Sequence, residues 1–279
     1  MKSTILGVVL ASCIATVYAQ PPAVLQLVRE TIKEGKGAPH RRAEREFVSA
    51  FRKVNFPYHY IALTTESGPS EVWFFTAMSS FGALEDSDKL SGKEPLKTLL
   101  ETAEAHDGEM RVSSRTMTAA FRPDLTYVSP SGPPLSKFHY MMISTYRVKL
   151  GHDEDFATGS KQIMDAYKKA QINSTYLVYQ VVTGAPEGTY LLMFPMTSLK
   201  EIDEYPAREK AMTEAMGAEN FQRMMRSAGD VFMSMDTTLF AISPEMSYVS
   251  KETEDGDPAF WRPKTVTTSV PKSADRSGQ

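Results

Sequence analysis

Two β-rich runs, Val24–Ile32 and Tyr140–Val148, each end at a Lys-x-Gly turn, Lys33-Glu34-Gly35 and Lys149-Leu150-Gly151. Each run is followed by apolar residues at helical spacing. After the first, Pro39 suits an opening turn, and Ala43, Phe47, Phe51 and Val54 form the stripe. After the second, Phe156, Ile163, Tyr167 and Ala170 do so behind Asp153-Glu154-Asp155, acidic residues that favour a helix N-terminus. Two hairpins come next: residues 58–65 with 72–78, and 175–183 with 189–194. Gly68-Pro69 and Gly184-Ala185-Pro186 supply their turns. Ser198-x-x-Glu201 has the spacing of a capping box and predicts a second helix carrying Met212, Met216, Phe221 and Met225. Closing strands are expected near residues 112–121 and 231–242.

The two series are copies of one pattern. Gly35 and Gly151 lie 116 positions apart, as do Tyr60-Ile61 and Tyr176-Leu177, and Gly68 and Gly184. Pro123-Asp124-Leu125-Thr126-Tyr127-Val128-Ser129 is matched by Pro244-Glu245-Met246-Ser247-Tyr248-Val249-Ser250. Each copy reads βαββαβ, the order of a ferredoxin-like unit. A lone unit leaves one sheet face bare, and that face should alternate apolar with polar. Val72-Trp73-Phe74-Phe75 and Tyr190-Leu191-Leu192-Met193-Phe194 are apolar on both faces, so both faces must be covered. The expected fold is therefore α+β. Two tandem ferredoxin-like repeats, residues 23–130 and 138–250, pack sheet to sheet as an intrachain pseudo-dimeric α/β barrel.

Outside the repeats the pattern changes. Lys2, an apolar run from Ile5 that continues to Val17, and the small-residue exit Val17-Tyr18-Ala19 read as a signal peptide over residues 1–19. Leu10-Ala11-Ser12-Cys13 also resembles a lipoprotein box, so the choice is between a soluble exported chain and one anchored through lipidated Cys13. No later run is long enough for a transmembrane helix. Residues 251–279 are polar, with only Phe260 and Trp261 as sizeable apolar groups, and predict a disordered tail in which that pair could dock back.

Composition narrows the chemistry. Of 279 residues, 31 are Lys or Arg and 34 Asp or Glu; this balance argues against a nucleic-acid binder. The single cysteine, in the leader, excludes an intrachain disulfide and a thiol nucleophile in the mature chain. The five histidines, His40, His59, His106, His139 and His152, make no His-x-x-x-His or His-Glu-x-x-His pair, so no helical metal site is signalled. His40, His106 and His152 fall near helix ends and are expected to be exposed. His59 and His139 begin strands. Arg115 and Asp236 occupy matching positions in the closing strands, where they are expected to approach across the barrel. The reading of them as a structural ion pair or as solvated edge residues stands beside that of a polar anchor in an apolar cavity. Tyr60, Trp73, Tyr176, Gln180 and Tyr190 lie on central strands, where some must point inward as walls or donors for a flat ligand. Twelve of the sixteen methionines fall in the second repeat, a stripe that reads as core packing before soft-metal binding.

Tyr146-Arg147-Val148-Lys149-Leu150-Gly151-His152-Asp153-Glu154-Asp155-Phe156, and Tyr179-Gln180-Val181-Val182-Thr183-Gly184 followed by Tyr190-Leu191-Leu192, resemble the dimeric α/β-barrel superfamily. The likeness is to its antibiotic-biosynthesis-monooxygenase-like and NIPSNAP-like branches, and it spans both repeats. It implies a barrel whose members include cofactor-free oxygenases, haem-binding enzymes, isomerases and proteins without a known reaction. No matched motif is catalytic. Three readings follow. The first is an exported protein with a small-organic-molecule site between the repeats, in the manner of cofactor-free monooxygenases. The second is a non-catalytic binding or stress-associated protein with a packed barrel. The third is a haem-binding barrel, for which His59 or His139 would be the axial ligand. No cofactor is predicted in the first two, and further oligomerisation stays open.

Overall fold

The computed structural model describes residues 21–262. Residues 1–20, which hold the expected signal peptide and Cys13, and residues 263–279 lie outside them. The first half runs β1 (Val24–Ile32), α1 (Gly37–Val54), β2 (Tyr60–Thr65), β3 (Glu71–Met78), α2 (Phe81–Ser91), α3 (Leu96–Gly108) and β4 (Arg111–Phe121). The second runs β5 (Tyr140–Val148), α4 (Asp153–Lys169), β6 (Leu177–Thr183), β7 (Thr189–Met196), α5 (Lys200–Asp203), α6 (Tyr205–Met216), α7 (Ala218–Val231) and β8 (Phe232–Tyr248). Two short helices, α8 (Lys251–Gly256) and α9 (Pro258–Trp261), follow.

The eight strands close into one antiparallel barrel in the order β1-β3-β2-β8-β5-β7-β6-β4. Each half contributes its strands as fourth, first, third, second. The halves meet edge to edge, through β2–β8 and β4–β6, as well as face to face. Closure leaves no open sheet edge around the waist, which is how a barrel avoids strand-edge association.

The two-residue period of a strand explains why β3 is apolar throughout. Its odd positions, Trp73 and Phe75, join Leu25, Leu27, Leu63, Met117, Tyr179, Leu191 and Phe240 in one buried cluster drawn from every strand, which fills the bore. Its even positions, Val72 and Phe74, pack outward with Val28, Ile32 and Ala62. In the second half Phe156 and Met164 of α4 pack on the outward residues Val148, Val178 and Tyr190.

Three local expectations change. The helix predicted after Ser198 is broken into α5, α6 and α7, because Pro206 starts a new first turn and Gly217 takes φ +89° between the last two. The capping box from Ser198 also does not form: Leu199 stands at the N-cap of α5 without a side-chain bond, and the Glu201 carboxylate instead accepts from the Thr197 N–H and hydroxyl, both at 2.8 Å. Within the expected tail, Lys251–Gly256 and Pro258–Trp261 form α8 and α9, and the Phe260-Trp261 pair does dock back. Ser250 caps α8, and Trp261, 5% exposed, belongs to the bore cluster.

Gly184 at the β6–β7 turn shows how tightly the seam between halves is built. Its φ is +86°, and a Cβ there would lie 2.2 Å from the Thr116 carbonyl oxygen. Gly184→Ala is expected to destabilise the fold by about 1–3 kcal/mol, seen as an earlier denaturant midpoint with an unchanged slope.

Candidate functional site

In a closed antiparallel barrel alternate strands run the same way, so β4 and β8 both begin at the rim where β1 ends and β3 starts. That rim carries the polar residues of the bore-facing rows. On β1 the row Leu25, Leu27 continues to Arg29, whose Cα neighbours are Trp73 on β3 and Arg115 on β4. Arg29 grips Glu71 with two parallel bonds, Nε to Oε2 at 2.8 Å and Nη2 to Oε1 at 2.7 Å. The Trp73 indole N–H donates to the same Oε2 at 2.9 Å, and the Arg29 guanidinium lies over the Trp73 ring at 5.0 Å. Glu71 is buried while Arg29 is partly exposed.

Arg115 and Asp236 are both on bore-facing rows at this rim, but both are exposed, and neither makes an ion pair among the described residues. Of the readings that the sequence left open, the solvated edge position is the one found, and the approach across the barrel does not occur. The first halves of β4 and β8 run past the seam pairing, which on β4 involves only residues 118–121, so each of these ends is paired on one edge alone, with β1 or β5.

Of the other expected cavity residues only Trp73 faces the bore. Tyr60 points outward under α1 beside Phe51 and Phe74. Tyr176 does the same beneath Tyr167 of α4. Tyr190 donates to Asp153 at 3.0 Å on the helix side, and burial together with that bond pushes its phenol up to about 12. Gln180 accepts from Arg122 at 3.0 Å. Each stands on the even, outward row of its strand or, for Tyr176, on that row's extension. His59 stacks on Tyr248 at 4.9 Å outside the bore, and burial lowers its pKa.

The histidines do not suit haem. His139 stacks on Phe260 at 4.0 Å and bonds Asp257 at 3.0 Å, His106 and His152 are held by Glu46 and Asp155, and the bore is filled with side chains. An axial ligand facing an open cavity is what haem requires, and none of the five histidines offers it.

His40, expected in solvent, is instead 1% exposed. It sits in a second polar constellation, on the helix side of the first half. Glu30 faces outward from β1, His40 and Glu44 share a face of α1 at i and i+4, Asp107 ends α3, and Arg111 opens β4. Nε2 of His40 lies 3.0 Å from Glu30 Oε2, 3.3 Å from Asp107 Oδ1 and 3.8 Å from Glu44 Oε1. Arg111 donates to Glu30 Oε1 at 2.6 Å, stands 2.9 Å from Asp107 Oδ2 and also pairs with exposed Glu104. Burial pushes the Glu44 carboxyl well above its ordinary range, and Asp107 and Glu30 add to the effect. Burial likewise raises Asp107 to about 6, with His40 and Arg111 acting against it. Glu44 in turn raises the Tyr60 phenol, after burial itself. One helical signal was available in the sequence: His40-x-x-x-Glu44 is a ligand-type pair, missed by a search for histidine pairs alone.

No protein-family model and no curated protein matches the sequence. Solved structures do match in fold. A presumed monooxygenase from Fusobacterium nucleatum subsp. nucleatum aligns at TM-score 0.52 and 10% identity, over 80% of this chain and 93% of its own. An anthrone oxidase-like protein aligns at 0.50 and 12%, over 81% and 94%. A chlorite dismutase variant from Candidatus Nitrospira defluvii aligns at 0.52 and 9%, over 82% and 94%. At these identities the likeness is one of fold, that of the dimeric α/β barrel.

Proposed function

We propose that the chain is an exported, tandemly duplicated ferredoxin-like barrel of the antibiotic-biosynthesis-monooxygenase-like and NIPSNAP-like kind, and that it binds a small organic anion at its polar rim. The observation that carries this reading is the direct pairing of Arg29 with Arg115 across β1 and β4, with one carboxylate, Glu71, between Arg29 and Trp73. Like charges placed opposite each other on neighbouring strands repel. Glu71 relieves Arg29, whereas Arg115 has no acidic partner among the described residues. A carboxylate or phosphate ligand would relieve it, with a planar body resting near the Arg29–Trp73 stack. Arg suits such recognition because its fork of donors matches two anion oxygens.

The filled bore favours this rim site over chemistry inside the barrel. Oxygenase chemistry without a cofactor needs a substrate enclosed beside its polar holders, and the bore offers Trp73, Phe75 and Phe240 in contact instead. Binding is therefore the leading reading, and monooxygenase-like turnover the rival. Titration with benzoate-type and aryl-phosphate probes, followed by tryptophan fluorescence, is expected to show saturable binding that Arg115→Ala weakens about tenfold, the worth of one charged hydrogen bond. Equal affinity in the variant, or no saturable binding, removes the rim reading. Oxygen uptake by the wild type with an anthrone as probe would put the rival in its place.

A further inference from the structure

We infer that Glu30, His40, Glu44 and Asp107 form a binding site for one divalent transition-metal ion between the sheet and the helices of the first half. The inference is independent of the rim site.

Four donors converge from three separate elements, and all four residues are at most 5% exposed. Their ligating atoms lie within 4.8 Å of one another. Donors bound to a common ion at about 2.0–2.2 Å stand about 3.0–3.8 Å apart for bond angles of about 90–120°. The three separations from His40 Nε2, 3.0, 3.3 and 3.8 Å, fall in that span. Of the three carboxylates, only Glu30 is hydrogen-bonded to Nε2.

Asp107 supplies a second, independent observation. It is fully buried, and although Arg111 Nε and His40 Nε2 come within ion-pair distance, neither carboxylate oxygen receives a properly directed hydrogen bond. Buried polar atoms are rarely left so. Oδ1 faces His40, while Oδ2 faces Arg111. Arg111 takes the far oxygen of Glu30 as well, so the near oxygens of both carboxylates turn toward the same point. Orientation of ligands by partners outside the coordination sphere is what built metal sites show.

The second half provides an internal control. The residues at the places of Glu30, His40 and Arg111 are Tyr146, Phe156 and Phe232: Arg111 and Phe232 each pair with the last residue of the half's first strand, and His40 and Phe156 each close the first helical turn. These aromatic rings pack together with centroids 5.1–6.3 Å apart. The fold therefore accepts an apolar filling at this spot, and nothing in its architecture calls for four buried ionisable groups there. Once the three carboxylates are ionised as ligands, they leave two negative charges against one guanidinium when the imidazole is neutral, the complement of one divalent ion. An imidazole nitrogen among oxygens favours zinc, manganese or iron(II) over calcium, which takes six to eight oxygens.

The test uses the full chain, stripped with a chelator and dialysed against Zn²⁺, Mn²⁺ or Co²⁺. One ion per chain is expected by elemental analysis, with a raised Tm, and both are expected to vanish in Glu44→Gln and Asp107→Asn but persist in Asp236→Asn. No stoichiometric ion on the wild type, or retention in both cluster variants, overturns the site. Should the variants fail to fold, the zinc K-edge spectrum of the wild type decides. One imidazole among oxygen donors supports the assignment, and none or several overturns it.

Discussion

Arg111→Leu is expected to lower the stability of the chelator-treated protein by about 3–5 kcal/mol, the usual result of removing one partner from a buried ion pair. The side chain is 12% exposed, and it holds the far oxygens of both Glu30 and Asp107. Without it these two carboxylates and Glu44 would face one another with only His40 between them. Its bond to Glu104 contributes little, because Glu104 stands in solvent. Thermal denaturation should show the change as a fall of roughly 10 °C, given about 2–4 °C per kcal/mol for a domain of this size. Removing the whole network should cost less than removing its cation. A chain carrying E30Y, H40F and R111F, together with E44S and D107A after Ser160, four residues beyond Phe156, and Ala228, four residues before Phe232, is expected to be more stable than Arg111→Leu. An unchanged midpoint in Arg111→Leu would mean that the three acids are not held as charged groups.

The contrast between the two halves also shows where sequence reading succeeds and stops. Strand and helix existence followed from local chemistry: the Lys-x-Gly turns, the Asp153–Asp155 helix start and the Gly184 turn all fall where the pattern places them. Coverage of both sheet faces was legible too, since Val72–Phe75 has no polar alternate position. Inward and outward rows were harder. When both faces are apolar, nothing in Tyr60, Tyr176 or Tyr190 marks the side on which the helices lie, and all three turn out to face them. Arg115 and Asp236 were placed on the correct row, with solvated edge positions among the open readings; the choice among those readings was not legible, because strand overhang depends on the length of the neighbouring strand across the seam. The buried cluster was least legible. Its members are scattered from Glu30 to Arg111, and each looks like a surface charge alone; only the pairing of β1 with β4 and the docking of α1 and α3 bring them together.

At the other rim, Trp261→Ala is expected to destabilise the protein by about 3–5 kcal/mol, the range for removing a large buried aromatic. Composition from residue 251 onward predicts a chain that cannot bury enough apolar surface to order itself, and taken alone that reasoning is sound. What it leaves out is the hole such a segment can fill. A barrel closed around its waist is still open at its ends, and here Trp261 packs with Phe138, Met141 and Val249 where β5 begins and β8 ends. Its indole N–H donates to the Ser136 carbonyl at 2.9 Å, so the polar end of the ring is satisfied within the same contact. Asp257, bonded to His139, and Phe260, stacked on it, fix the turn that delivers the ring. A single tryptophan therefore orders a segment whose other residues are mostly polar. The variant should lose stability and, because the bore is uncovered at that rim, gain fluorescence from an added apolar dye, whereas Phe260→Ala should do less, its ring being only partly buried. A Trp261→Ala protein with wild-type Tm and no dye signal would show that the bore is sealed without its C-terminal segment.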